Sequence, residues 1–109
     1  MRKIEIQLQT AITNGREFRS ANTTVDNTDH GQIVRLHGNK IAQIDNGWLT
    51  ITSAGWETTT TKSRLNAVLD VLVPGARIFA KAHTWFISYN GKTAEFSGVD
   101  GISFPFNVV

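Results

Sequence analysis

The amino-acid sequence predicts an α+β fold, and three observations predict it. Residues 33–52 follow strand period and are broken twice by glycine–asparagine turn pairs. Residues 65–72 carry one clean helical stripe. Residues 77–106 return to strand period around Asn90-Gly91. Strands grouped before and after a helix, rather than alternating with several helices, indicate α+β and not a parallel α/β sheet. The expected order is an antiparallel β-meander, one amphipathic helix at about residues 61–73, and a second β-meander.

Residues 3–13 admit two readings. Ile4, Ile6 and Leu8 alternate with Glu5, Gln7 and Gln9, as in a strand. Ile4, Leu8, Ala11 and Ile12 also share one helical face, and Asn14-Gly15 suits a left-handed helix end. The helix is the preferred reading. Residues 14–32 are rich in Asn, Thr, Asp and Gly and read as loop with one short strand near Thr24-Val25. Strands follow at Ile33–His37, Lys40–Ile44 and Trp48–Thr52, joined through Gly38-Asn39 and Asp45-Asn46-Gly47.

In the helix, Leu65, Val68, Leu69 and Leu72 fall at i, i+3, i+4 and i+7. Thr60 or Thr61 is the expected N-cap, Pro74-Gly75 the stop, and Arg64, Asn66 and Asp70 are expected to point away from the sheet. A strand is then expected over Arg77–His83. Thr84–Tyr89 and Lys92–Ser97 form a hairpin, with Trp85, Ile87 and Tyr89 on one face. Gly98–Gly101 turns, and Ile102–Phe106 is a terminal strand placed at a sheet edge, because Pro105 cannot donate to a ladder.

The 109 residues suit one domain spanning residues 1–109. The absence of cysteine excludes disulfides and thiolate ligands. No apolar run approaches the roughly 18 residues of a membrane span, and Glu5, Gln7 and Gln9 interrupt any secretory leader. A cytoplasmic setting is therefore expected. Eleven Lys and Arg against nine Asp and Glu give a net charge of +2, scattered along the chain, which favours no partner by itself.

Asp26, Asp29 and His30 lie close in sequence and carry metal-ligating groups, but turn hydrogen bonding is the commoner use of such residues in a polar loop, and no metal site is assigned. His37 and His83 read as structural or surface histidines. No nucleophile elbow, P-loop, H-E-x-x-H helix or paired carboxylates are present, so neither catalysis nor a cofactor is expected. The segment from Thr58 to Arg64 places hydroxyls and two cations at a helix start. A capping run with solvated charges is the preferred reading and a phosphate or nucleic-acid contact the alternative; cations there oppose the helix dipole, which hints at a use beyond capping. Trp48 and Trp85 are expected in packing roles, and Trp56, between Gly55 and Glu57, is the candidate anchor for a partner.

Three runs carry a resemblance: Asn22-Thr23-Thr24-Val25, Val34 to Ala42, and above all Gly55-Trp56-Glu57-Thr58-Thr59-Thr60-Thr61-Lys62-Ser63-Arg64-Leu65-Asn66-Ala67. Across residues 22–69 the chain resembles a recurrent type of small protein encoded by tailed bacteriophages. The resemblance implies a phage origin, the host cytoplasm, and the strand–strand–strand–helix–strand order read above. It implies no catalytic residue. By analogy with small phage accessory proteins, the expected function is to bind and modulate or inhibit a host or defence protein complex, an anti-CRISPR-type inhibitor being one form. The expected contact residues are Trp56, Thr60, Lys62 and Arg64, with Asp26, Asp29 and His30 as a secondary loop. The competing expectation is a nucleic-acid-binding protein that uses the basic helix start.

Overall fold

A computed structural model of the chain describes residues 2–96 and 99–106. The N-terminal segment is a helix, α1 (Lys3–Thr13). Leu8, Ala11 and Ile12 are buried on one face while Ile6 is exposed, so the helical period prevails over the strand period. Gly15 adopts φ +63° just past its end, and the Arg16 N–H donates back to the Ala11 carbonyl at 2.9 Å.

Five strands then run in sequence: β1 (Phe18–Ser20), β2 (Thr23–Thr28), β3 (Gly31–Leu36), β4 (Asn39–Asp45) and β5 (Trp48–Ile51). The meander is thus longer than the three strands expected. The polar run 14–32 contains two strands and not one, because Thr23 and Val25 face inward while Thr24 and Asp26 face outward. β-Branched threonine suits a pleated surface as well as an apolar residue does. The expected loop at Asp26–His30 is therefore half strand, and only Asp29-His30 forms the turn. Gly31 sits at φ +87°, where an added Cβ would collide with the Ile44 carbonyl, so this position admits only glycine. The β3–β4 turn is His37-Gly38, one residue earlier than read. A bulge opposite Val34/Arg35 leaves Ile41 as the extra residue, and both Ile41 and Ala42 are buried.

Helix α2 (Thr59–Leu72) follows, two residues ahead of its expected start. Thr58 is the N-cap, accepting from the Thr61 N–H at 3.1 Å, so the capping hydroxyl precedes both threonines considered for that role. Strands β6 (Arg77–Lys81), β7 (Thr84–Tyr89) and β8 (Lys92–Glu95) form a separate three-stranded sheet. Trp85 and Ile87 are buried on one face, as the alternation required. Ala82-His83 forms the β6–β7 turn and does not extend the strand. Ser97 and Gly98, read as the end of the last hairpin arm and the start of the next turn, lie outside the described residues. Strand β9 (Ile102–Pro105) pairs with β5, so the large sheet runs β1-β2-β3-β4-β5-β9 with the proline strand at its edge.

One face of the large sheet is covered by the helices. Val25, Val34, Leu49 and Ile51 meet Leu8 of α1 and Leu65, Val68 and Leu69 of α2 in a hydrophobic cluster that continues into Ile78, Trp85 and Ile87 of the small sheet. With partners on several sides, α2 is buried without a break from Arg64 to Leu69. This overturns the expectation for Arg64 and Asn66, which point into the protein; Asp70 alone of the three is exposed.

The Ala82-His83 turn holds both residues at positive φ, +51° and +65°, without the glycine that stands second in the turns at 37–38, 46–47 and 90–91. A left-handed residue with a Cβ costs roughly 1 kcal/mol. The double substitution Ala82→Asn, His83→Gly is therefore expected to raise the free energy of unfolding by about 1 kcal/mol. Denaturant melts of the two proteins check this.

Candidate binding surface

The loop between β5 and α2 is fixed by its own backbone. The Thr52 N–H donates to the Ile41 carbonyl at 2.8 Å, and the Trp56 N–H to the Ser53 carbonyl at 2.9 Å. The buried Ser53 hydroxyl accepts the Gly55 N–H at 3.2 Å, and Ala54 and Gly55 take positive φ values that reverse the chain. The Thr58 N–H donates to the Trp56 carbonyl at 3.0 Å and leads into the helix cap. On this pinned loop the Trp56 indole is 61% exposed.

The indole borders a groove of about 550 Å³ between the β3–β4 turn and the start of α2. Leu36 and Ile41 supply its apolar side, while His37, Asn39, Thr58 and Thr60 add polar groups. Of the expected contact residues, Trp56 and Thr60 are thus brought together. Lys62 is half-buried and lines a neighbouring cleft of about 210 Å³ with Glu57, His83 and Trp85.

Arg64 belongs to neither hollow. It is 3% exposed and forms an ion pair with Glu5 of α1, Nη1 to Oε2 at 3.1 Å. Its Nε donates to the Thr23 hydroxyl at 3.0 Å, and that hydroxyl donates to the Asn22 side-chain oxygen at 2.8 Å. The Ser63 hydroxyl also donates to Glu5, and the Arg2 backbone N–H donates to its second oxygen at 3.1 Å. Burial pushes the Glu5 carboxyl up, yet the Ser63 and Arg2 hydrogen bonds and the Arg64 guanidinium outweigh it and hold the group below its ordinary value. The cluster ties α1, α2 and the start of β2 together. Its burial removes Arg64 from the proposed contacts and leaves the basic helix start with Lys62 alone of its two cations.

The secondary candidates are dispersed. Asp26 faces outward on β2 and pairs with Arg35 at 3.4 Å, while Asp29 and His30 are exposed at the β2–β3 turn. Among the described residues no three His, Cys, Asp or Glu side chains gather to hold a metal. Trp85 packs as expected, stacked on Phe96 at a centroid distance of 6.1 Å. Trp48 does not: it is 50% exposed, because it stands on the outer face of β5 opposite Pro105. No helix among the described residues is long and apolar enough to cross a membrane.

Fold and site together define a small two-sheet α+β protein, with an aromatic-walled groove at its surface and a charged network sealed inside. The chain belongs to the Kyanoviridae Gp96 protein family, whose model matches residues 1–104. The match extends well beyond residues 22–69 and supports the phage origin that the resemblance implied. No curated protein and no solved structure matches the chain.

Proposed function

We propose that this phage protein is a non-catalytic accessory protein that binds a host or defence protein complex through the Trp56 groove, and so modulates or inhibits it. The observation that carries the reading is the exposed indole on a hydrogen-bonded loop beside an apolar recess. Exposed tryptophan retains apolar area in water, and a pinned loop loses little conformational freedom on binding. Residues of this kind supply much of the energy at protein interfaces. Thr60 borders the same recess and Lys62 lines the neighbouring cleft, with Thr58 common to both hollows, so both fall within reach of one partner.

Capture from a nuclease-treated host lysate tests the proposal. Trp56→Ala is expected to leave the free energy of unfolding within about 0.5 kcal/mol of wild type, as for other exposed substitutions. It is expected to weaken capture of the specific partner by about 2 kcal/mol, or roughly thirtyfold. Thr60→Arg, which fills the recess without touching the core, is expected to act in the same way. Equal recovery of the same proteins by wild type and both variants sinks the assignment of this surface.

A further inference from the structure

The large sheet has a second face, and neither helix covers it. Register places Arg19, Thr24, Arg35 and Lys40 side by side in one row across β1 to β4. The next outward row reads Asp26, Ile33, Gln43, Thr50 and Ser103, and Asp45, Trp48 and Pro105 lie beyond it. A solvated, polar outer face is ordinary in antiparallel sheets. The sign and order of its charges are less so. Arg35 and Lys40 stand directly opposite each other, and like charges in that relation weaken strand pairing. Asp26 answers Arg35 at 3.4 Å, while exposed Lys40 reaches the Gln43 amide oxygen at 3.4 Å and forms no ion pair among the described residues, and exposed Arg19 lies at the end of the row.

We infer that this outer face is a platform for single-stranded nucleic acid, distinct from the Trp56 groove and independent of the function proposed for it. A polyanion turns the unfavourable row of cations into phosphate contacts. The half-exposed Trp48 ring lies on the same face, roughly 15 Å along the strand direction at about 3.3 Å per residue, where a base can stack. Between row and ring the Thr50–Ser103 hydroxyl pair, 2.9 Å apart, supplies sequence-tolerant hydrogen bonds. An acidic protein segment would satisfy the cations but has no need of an exposed stacking surface, so nucleic acid is the better match.

Fluorescence anisotropy of the whole protein with labelled oligothymidylate and oligouridylate, over a salt series, tests the inference. Wild type is expected to bind at low salt with a log–log slope of about −2, at roughly −0.7 per phosphate contact for three cations. Arg19→Gln with Lys40→Gln is expected to bring the slope to about −0.7. Trp48→Ala is expected to weaken binding about tenfold with the slope unchanged. Lys81→Gln with Lys92→Gln, on the small sheet, and Trp56→Ala are expected to change neither quantity. Circular dichroism of each variant checks that the fold is kept. Three outcomes overturn the inference: no binding at low salt, a slope indifferent to the Arg19 and Lys40 changes, or equal competition by polyglutamate, which would make the face a site for acidic protein.

Discussion

Arg64→Ala is expected to lower the free energy of unfolding by about 3–5 kcal/mol, the range for breaking one side of a buried ion pair. The loss exceeds that of the removed contacts, because Glu5 at 4% exposure keeps its charge with no cation beside it. Thr23, fully buried, loses its donor from Nε at the same time. Replacing both partners, Glu5→Leu with Arg64→Leu, is expected to recover most of the stability, since no charge is then stranded. Acid adds a second readout. The folded state holds the Glu5 carboxyl below its ordinary value, so the unfolded chain binds the proton more readily. This contribution is complete above the unfolded-state value of the carboxyl and disappears as pH falls through the lower, folded-state value. Denaturant midpoints measured across that acid limb should fall for wild type and fall less for Glu5→Gln. Parallel curves for the two proteins, or an Arg64→Ala midpoint equal to wild type, contradict the structural role given to the pair.

The same pair shows how far the sequence could be read. Strand period, turn pairs and the α2 stripe were legible because each is local: Asn90-Gly91 needs no distant residue to turn, and Leu65, Val68 and Leu69 select a face by spacing alone. The phage resemblance also travelled with local runs. The meaning of Arg64 was not local. Read as an isolated helix, α2 has one apolar face, and every polar residue off the main stripe is assigned to water. Packed between two sheets and α1, it has no such free face at its centre. A signal did exist. Glu5 stands at i and i+3 with Leu8 and at i and i+7 with Ile12, and Arg64 stands at i and i+4 with Val68. Opposite charges on the apolar stripes of two helices call for each other, and that pairing was the missed inference. Trp48 erred the other way, since its outward position follows from a one-residue choice of register and not from its size. Trp56 lies outside any periodic element, so no local pattern fixes whether it is exposed, and the fold shows that it is.

Asn66→Leu is the companion case, with an expected loss of about 3 kcal/mol. β6 pairs with β7 on one side, and on the other its Ile78 meets the helix in place of a strand. There the Asn66 side chain imitates a strand's backbone: its amide nitrogen donates to the Ile78 carbonyl at 2.9 Å, and its oxygen accepts the Ile78 N–H at 2.8 Å. Asn66 is 7% exposed, so water cannot replace it without opening the contact between α2 and the small sheet. Leucine has similar volume and keeps the packing, but it leaves one donor and one acceptor buried and unpaired, at roughly 1–3 kcal/mol each. Asn66→Asp separates the two bonds. Its carboxylate still accepts from Ile78 N–H but faces the Ile78 carbonyl with like polarity, so burial and repulsion raise its folded-state pKa. Once protonated it can donate again, and the variant is expected to gain stability relative to wild type as pH falls, opposite to the Glu5 effect. Hydrogen exchange at the Ile78 amide localises the loss: fast in Asn66→Leu, slow in wild type, and protected in Asn66→Asp. An Ile78 amide equally slow in wild type and Asn66→Leu would mean that the helix shields this strand without the side-chain bonds.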